Sequence, residues 1–186
     1  MNAMAVAQRM TAQEYLADPD ETVRSELVEG EVIVHGPGLP HQRALRDIWR
    51  VLDAWTLAGP GRGEVTFPID VLIDERNVFA PDLLWYAEER IPNAPHRPYP
   101  LPDLAIEARS PSTWRYDIGA KKSAYERNGL TELWLVDTSA DEILVFRRSS
   151  PKTPSFDVAL ELARGDTLTS SLLPGFTLAL DALFAG

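Results

Sequence analysis

The chain contains no cysteine, so neither a disulfide nor a thiolate-held metal can organise it. No apolar run approaches the roughly 18 residues that a membrane-spanning helix needs. Histidine is scarce: His35, His41 and His96 are the only three, and no pair has the i, i+4 spacing of a helical zinc site. A Gly-x-Ser-x-Gly elbow is missing, which leaves a nucleophilic serine without support. Gly59-Pro60-Gly61-Arg62-Gly63 is not a phosphate-cradling loop, because no lysine follows it and no strand leads into it. Positive charge is in deficit, with 18 Lys and Arg against 28 Asp and Glu and a net charge of −10. Nucleic-acid binders usually carry a basic footprint, so this balance lowers the expectation of tight non-specific DNA binding. The first residues lack the basic start and apolar block of a secretion signal, and a cytoplasmic location is expected.

What is present fits a globular chain of 186 residues, read as one domain over 1–186 with a flexible stretch at 1–9. Thr11 followed three residues later by Glu14 is a capping box and predicts a short helix. Glu26 to Val34 reads as a hairpin turning at Glu29-Gly30. From His41 to Trp55, Leu45, Ile48, Trp49, Leu52 and Trp55 follow helical spacing and form a core stripe. Arg43, Arg46 and Arg50 share another face, read as solvated with scattered ion pairs. Strands are expected at Glu64–Ile73 and Phe79–Tyr86. Five prolines from Pro92 to Pro102 preclude regular structure and predict a long surface connection, placed to act as a flap. A strand from Asp103 to Arg109, a helix near Asp117 to Asn128 stopped by Gly129, and a hairpin of Leu133–Asp137 with Ile143–Arg147 follow. The class is mixed α/β, with strands outnumbering helices.

Three segments concentrate the chemistry. Ala80-Pro81-Asp82-Leu83-Leu84 and Asp103-Leu104-Ala105-Ile106-Glu107-Ala108-Arg109 are strands that each carry a carboxylate among apolar residues. Asp117-Ile118-Gly119-Ala120-Lys121-Lys122 begins a helix with two lysines, inside a stretch from Arg109 to Arg127 that has a local excess of three positive charges. Carboxylates on neighbouring strands suit a hard divalent cation, and a nearby lysine stabilises charge developing on a phosphate. Asp82 lies either on the solvent side of its sheet, which the pattern alone favours, or against a buried partner. Glu107 sits mid-strand, where a cross-strand arginine is the plain alternative. Asp117, Lys121 and Tyr125 stack at helical spacing, so a surface ion pair is the plain reading for Lys121. His41 reads as a capping or substrate-side residue rather than a base.

These stretches resemble the Uma2 endonuclease family, a branch of the PD-(D/E)XK restriction-endonuclease-like superfamily. The resemblance starts with Met10–Leu16 and Ser25–Glu31 and continues through Ala80–Leu83 and Ile106–Thr113. It then takes in Asp117–Lys121 with Tyr125 and Gly129, Glu132–Asp137, and Leu172–Phe176. It implies a restriction-endonuclease-like core, a mixed central β-sheet flanked by helices. It also implies that Asp82 and Glu107 hold Mg²⁺ or Mn²⁺, that Lys121 assists attack by water, and that DNA is the substrate. Glu26 and Tyr125 are further candidate members of the site. Where the superfamily places a lysine two residues after the glutamate, this chain has Arg109, which stays protonated and is expected to clamp a phosphate instead. Two other readings stand beside this one. One is a catalytically idle nucleic-acid- or protein-binding module that kept the fold. The other is a homodimer built on exposed tryptophans, with Trp49 and Trp55 assigned to the core.

Overall fold

The computed structural model describes residues 9–17 and 24–185, so the N-terminal stretch expected to be flexible lies, apart from Arg9, outside the described residues. The capping box forms as read. The Thr11 amide and hydroxyl each donate to Glu14 at 2.8 Å, starting helix α1 (Ala12–Ala17). Strands β1 (Ser25–Val28) and β2 (Glu31–Val34) turn through Glu29 and Gly30, both at positive φ, as a two-residue hairpin turn requires. Helix α2 (Leu39–Leu57) follows. It buries Ala44, Leu45, Ile48 and Leu52, the stripe expected from its spacing. On its outer face Arg46 and Arg50 pair with Asp47.

The strand expected at Glu64–Ile73 is two strands in different sheets, β3 (Glu64–Thr66) and β4 (Val71–Asp74). Pro68, which has no amide hydrogen to give to a ladder, falls in the break. The one expected at Phe79–Tyr86 is likewise divided, into β5 (Asn77–Phe79) and β6 (Leu83–Tyr86), at Ala80-Pro81-Asp82. Strand β7 (Leu104–Ala108) comes next. The expected helix starts earlier than its glycine-terminated pattern suggested, with α3 (Trp114–Tyr116), a π-turn over Asp117–Lys121 and α4 (Lys122–Arg127). Strands β8 (Glu132–Asp137) and β9 (Glu142–Arg147) form the anticipated hairpin, and β10 (Val158–Leu162), β11 (Thr167–Leu168), β12 (Leu178–Ala179) and α5 (Leu180–Leu183) complete the order.

Two sheets stack. The larger runs β10-β9-β8-β7-β6-β3 and is mixed, since β7 and β8 are parallel and the other pairs antiparallel. The smaller runs β2-β1-β5-β4. This is the mixed α/β class with a central sheet and flanking helices that the sequence led us to expect. Alternation along β7 divides the interior. Leu104, Ile106 and Ala108 pack with the α2 stripe, Trp85 and Trp134 on one face. Ala105, with Leu84, Leu133 and Leu135, packs on the other against Val28, Phe79 and Tyr125. Glu107, on the Ala105 face, therefore projects between the two sheets. Trp85 and Trp134 are buried and Trp49, Trp55 and Trp114 half-buried, so no tryptophan stands exposed for an interface.

Glu132 is fully buried, accepting hydrogen bonds from Trp134 Nε1 and Ser170 Oγ, both at 2.7 Å. Burial raises its pKa from 4.5, and the two hydrogen bonds only partly oppose that. The folded chain thus holds this proton more tightly than the unfolded chain, and stability falls as pH rises from 4.5 towards the raised value. Glu132→Gln should flatten that slope and leave stability at neutral pH equal or higher. Urea midpoints compared across mildly acidic to neutral pH check it, and an unchanged slope counts against the assignment.

Candidate functional site

Four elements send polar groups into the gap between the sheets. Glu26 comes from β1, on the same face as Val28. Asp82 ends the crossover from β5 to β6. Glu107 comes from β7, and Asp117, Lys121 and Tyr125 come from the π-turn and α4. The last β6–β7 pair is Leu83 with Ile106, and one further step of that antiparallel register sets Asp82 across from Glu107. The Ala108 amide donates to Asp82 Oδ2 at 2.8 Å and pins the carboxylate there. Asp82 is only 5% exposed, which overturns the solvent-facing preference. Its partners are Arg24, whose Nη2 donates to Oδ1 at 2.8 Å, and His41, whose Nε2 lies 3.4 Å from the same oxygen. Both are remote in sequence and left no trace in the local pattern.

Lys121 occupies the centre, 1% exposed. Its Nζ lies 2.9 Å from each oxygen of Glu26, 2.7 Å from Glu107 Oε1 and 3.2 Å from Asp117 Oδ1. The expected Asp117–Lys121 pair exists, but buried rather than on the surface. The π-turn lies across these two residues, and such turns re-aim side chains along a helix. The partner of Glu107 is this lysine and not a cross-strand arginine. Tyr125 donates to Glu107 Oε1 at 2.8 Å, so both of its neighbours contact the same oxygen and no described group donates to Oε2. Thr113 Oγ1 donates to Asp117 Oδ2 at 3.1 Å, and His35 Nε2 lies 2.8 Å from Glu26 Oε2. His41 Nδ1 donates to the Ala108 carbonyl at 3.0 Å, which turns Nε2 towards Asp82. Arg109 stands apart. It pairs with Asp137 at 2.7 Å and lies over the Trp114 ring.

The electrostatics follow from one ammonium among several acids. Burial alone would lower the Lys121 pKa, but Glu107, Glu26 and Asp117 outweigh it and raise the pKa well above 10.5. Burial works against ionised Glu26 as well, yet the Lys121 ammonium and the His35 ring bring it down to about 2. Glu107 goes the other way. Burial raises it well above 4.5, Lys121 opposes, and the neighbouring carboxylates reinforce the rise. Asp117 is raised for the same reasons. For Asp82 burial is overcome chiefly by His41, and its pKa falls, while that of His41 rises.

Among the described residues no three His, Asp or Glu are gathered as a ready-made metal cage. Mg²⁺, however, is commonly held by one or two carboxylates with waters and phosphate oxygens. Asp82 and Glu107 provide that donor set, with Glu107 Oε2 free of donors. Glu26, Asp82, Glu107 and Asp117, when ionised, exceed the fixed cations Lys121 and Arg24 by two charges, which a divalent ion would balance. The residues therefore fit a hard divalent cation.

The family model described as "Uma2: Putative restriction endonuclease" matches residues 12–181. Among solved structures the chain is similar to a "putative nuclease belonging to DUF820" from Anabaena variabilis ATCC 29413. The identity is 20%, the TM-score 0.78, and the alignment covers 95% of this chain and 98% of that one, a likeness of fold. No protein of curated function matches.

Removing Lys121 leaves Glu26, Glu107 and Asp117 buried without a counter-charge. Lys121→Met should cost about 3–5 kcal/mol at neutral pH. The deficit should shrink as pH falls towards 4.5, because in the variant these acids bind protons more readily folded than unfolded. Glu26→Gln in the same chain should restore part of the loss. Urea unfolding of the three proteins provides the measurement, and a Lys121→Met variant as stable as wild type would contradict it.

Proposed function

The chain belongs to the Uma2 family of restriction-endonuclease-like proteins, and from that premise we propose that it is a metal-dependent endonuclease that hydrolyses DNA phosphodiester bonds within a single nuclease domain. The observation that carries this reading is the buried Lys121 ammonium held 2.7 Å from Glu107, with Asp82 in register across the sheet. A purely structural core rarely retains such a set, because each buried charge carries a large desolvation cost.

Asp82 and Glu107 would hold Mg²⁺ or Mn²⁺, which would supply Lewis acidity towards a phosphate oxygen and lower the pKa of a bound water. Lys121, with its raised pKa, keeps its proton, so it acts as a hydrogen-bond donor and fixed positive charge rather than as a base. It orients the attacking water and offsets the charge that develops on the phosphate. Tyr125 and Lys121 together fix the Glu107 carboxylate by one oxygen, leaving the other free of described donors and available to a ligand. The His41 ring and the Ala108 amide hold Asp82 in its turn, as outer partners of a ligating carboxylate do. Glu26 keeps the ammonium centred. Arg109, engaged by Asp137, ties the ends of β7 and β8 and is not the phosphate clamp in this reading.

Cleavage of plasmid and single-stranded circular DNA, in Mg²⁺ and in Mn²⁺, tests the proposal. Glu107→Gln keeps the shape and the hydrogen-bond acceptor but removes the charge. It should lower the rate about a hundredfold or more and abolish Mn²⁺ binding measured by calorimetry. A folded wild-type protein that binds no Mn²⁺ and cuts neither DNA form is an idle binding module, and the proposal then fails.

A further inference from the structure

A groove of about 780 Å³ opens beside the site, between α1, the β1–β2 hairpin and the proline-rich connection. Leu16, the exposed Val32, His96, Arg97 and Tyr99 are among its lining residues. Its lining also includes Arg24, the residue whose Nη2 bonds Asp82 Oδ1 at 2.8 Å and the Ala80 carbonyl at 3.1 Å. The groove thus lies one guanidinium away from the carboxylate cluster. Arg24 Nε is buried and has no hydrogen-bond partner among the described residues, while the side chain as a whole is 32% exposed. An arginine that lines the groove with a third of its side chain exposed is placed to donate to a phosphate there.

The lining at Tyr99 is held in place by its backbone. The Tyr99 amide donates to the Asp70 carbonyl at 2.8 Å, and the Leu72 amide donates to the Tyr99 carbonyl at 3.0 Å. Arg97 is braced by Asp70 at 2.6 Å. The Tyr99 ring is thereby carried on a fixed backbone, and His96 lines the groove three residues before it. Both are planar groups on which a nucleobase can stack.

These features select among substrates. A duplex presents its phosphates on the outside of a broad cylinder and is gripped by an extended basic surface. Here Glu107 and Lys121 are 2% and 1% exposed, so the scissile phosphate has to be carried inward. The groove falls within the roughly 300–1,000 Å³ range of sites that enclose a small ligand, and a single nucleotide fits that range whereas a duplex does not. We propose that this groove seats an unpaired polynucleotide strand, with Arg24 on the phosphate beside Asp82 and the adjoining base against Tyr99 and His96. The proposal rests on the nuclease reading of the adjacent site and narrows its substrate to unpaired strands.

Fluorescence anisotropy with the full chain in EDTA, where no cleavage competes, tests binding directly. The probes are a short fluorescein-labelled single strand, in deoxyribo and ribo forms, and the blunt duplex of the same sequence. One of the single strands should bind about tenfold or more tighter than the duplex, and the tighter of the two names the natural sugar. Tyr99→Ala, which keeps the backbone, should weaken it about tenfold. Val32→Trp, which fills the groove from an exposed position, should abolish the preference. Equal or tighter duplex binding overturns the proposal, as does single-strand binding unchanged in both variants or absent altogether. Duplex cleavage in Mg²⁺ that persists in Val32→Trp also overturns it while leaving the nuclease reading intact. Absence of both binding and cleavage removes the two together.

Discussion

One ammonium ion, withdrawn from water and shared among three carboxylates, governs the interior of this protein. The chain has only three lysines, and Lys121 is the one it buries. Desolvating such a charge is costly, and the cost is met only where opposite charges converge at hydrogen-bond distance. Glu26, Glu107 and Asp117 converge there from the small sheet, the large sheet and the π-turn. Because β1 is far in sequence from β7 and the π-turn, the cluster works as a tie across the gap between layers. An apolar interior could hold the layers together equally well. It could not leave a carboxylate oxygen of Glu107 open to a further partner.

The position of the cluster is a product of topology. Strand β7 is covered on both faces, so its alternating residues have two interiors to enter. The odd positions, Ala105 and Glu107, enter the one shared with the small sheet. The chain passes from the small sheet to the large one at Ala80-Pro81-Asp82, and the first side chain after the proline is delivered into the same gap. Proline at the crossover terminates one ladder before the next begins. Thus the two carboxylates meet because a sheet crossover and a doubly covered strand are adjacent.

Much of this was legible in the residues. Local rules governed α1, the β1–β2 hairpin, α2 and the β8–β9 hairpin, and those elements formed where capping, turn and periodicity placed them. Asp82, Glu107, Lys121, Glu26 and Tyr125 were picked out by pattern and by resemblance, and all five enter one gap. What local pattern could not supply was partner identity. The burial of Asp82 depends on Arg24 and His41, 58 and 41 residues upstream. The division of Glu64–Ile73 between two sheets depends on where Pro68 interrupts a run that otherwise reads as continuous. Arg109 satisfied a local expectation of phosphate contact, yet Asp137, brought beside it by the parallel pairing of β7 and β8, takes its charge. Arg24 carried no motif at all, and only its place in the lining of a groove distinguishes it.

The helical segment that supplies Lys121 contains a π-turn, and that has a kinetic meaning. A π-turn is a locally wide, less favourable helical geometry that persists because its surroundings hold it. Lys121 and Asp117 both sit on the stretch from Trp114 to Arg127, so its displacement would take the two away together and leave Glu26 and Glu107 without their counter-charge. The proposed site and the packed state of this one segment would therefore form and dissolve together.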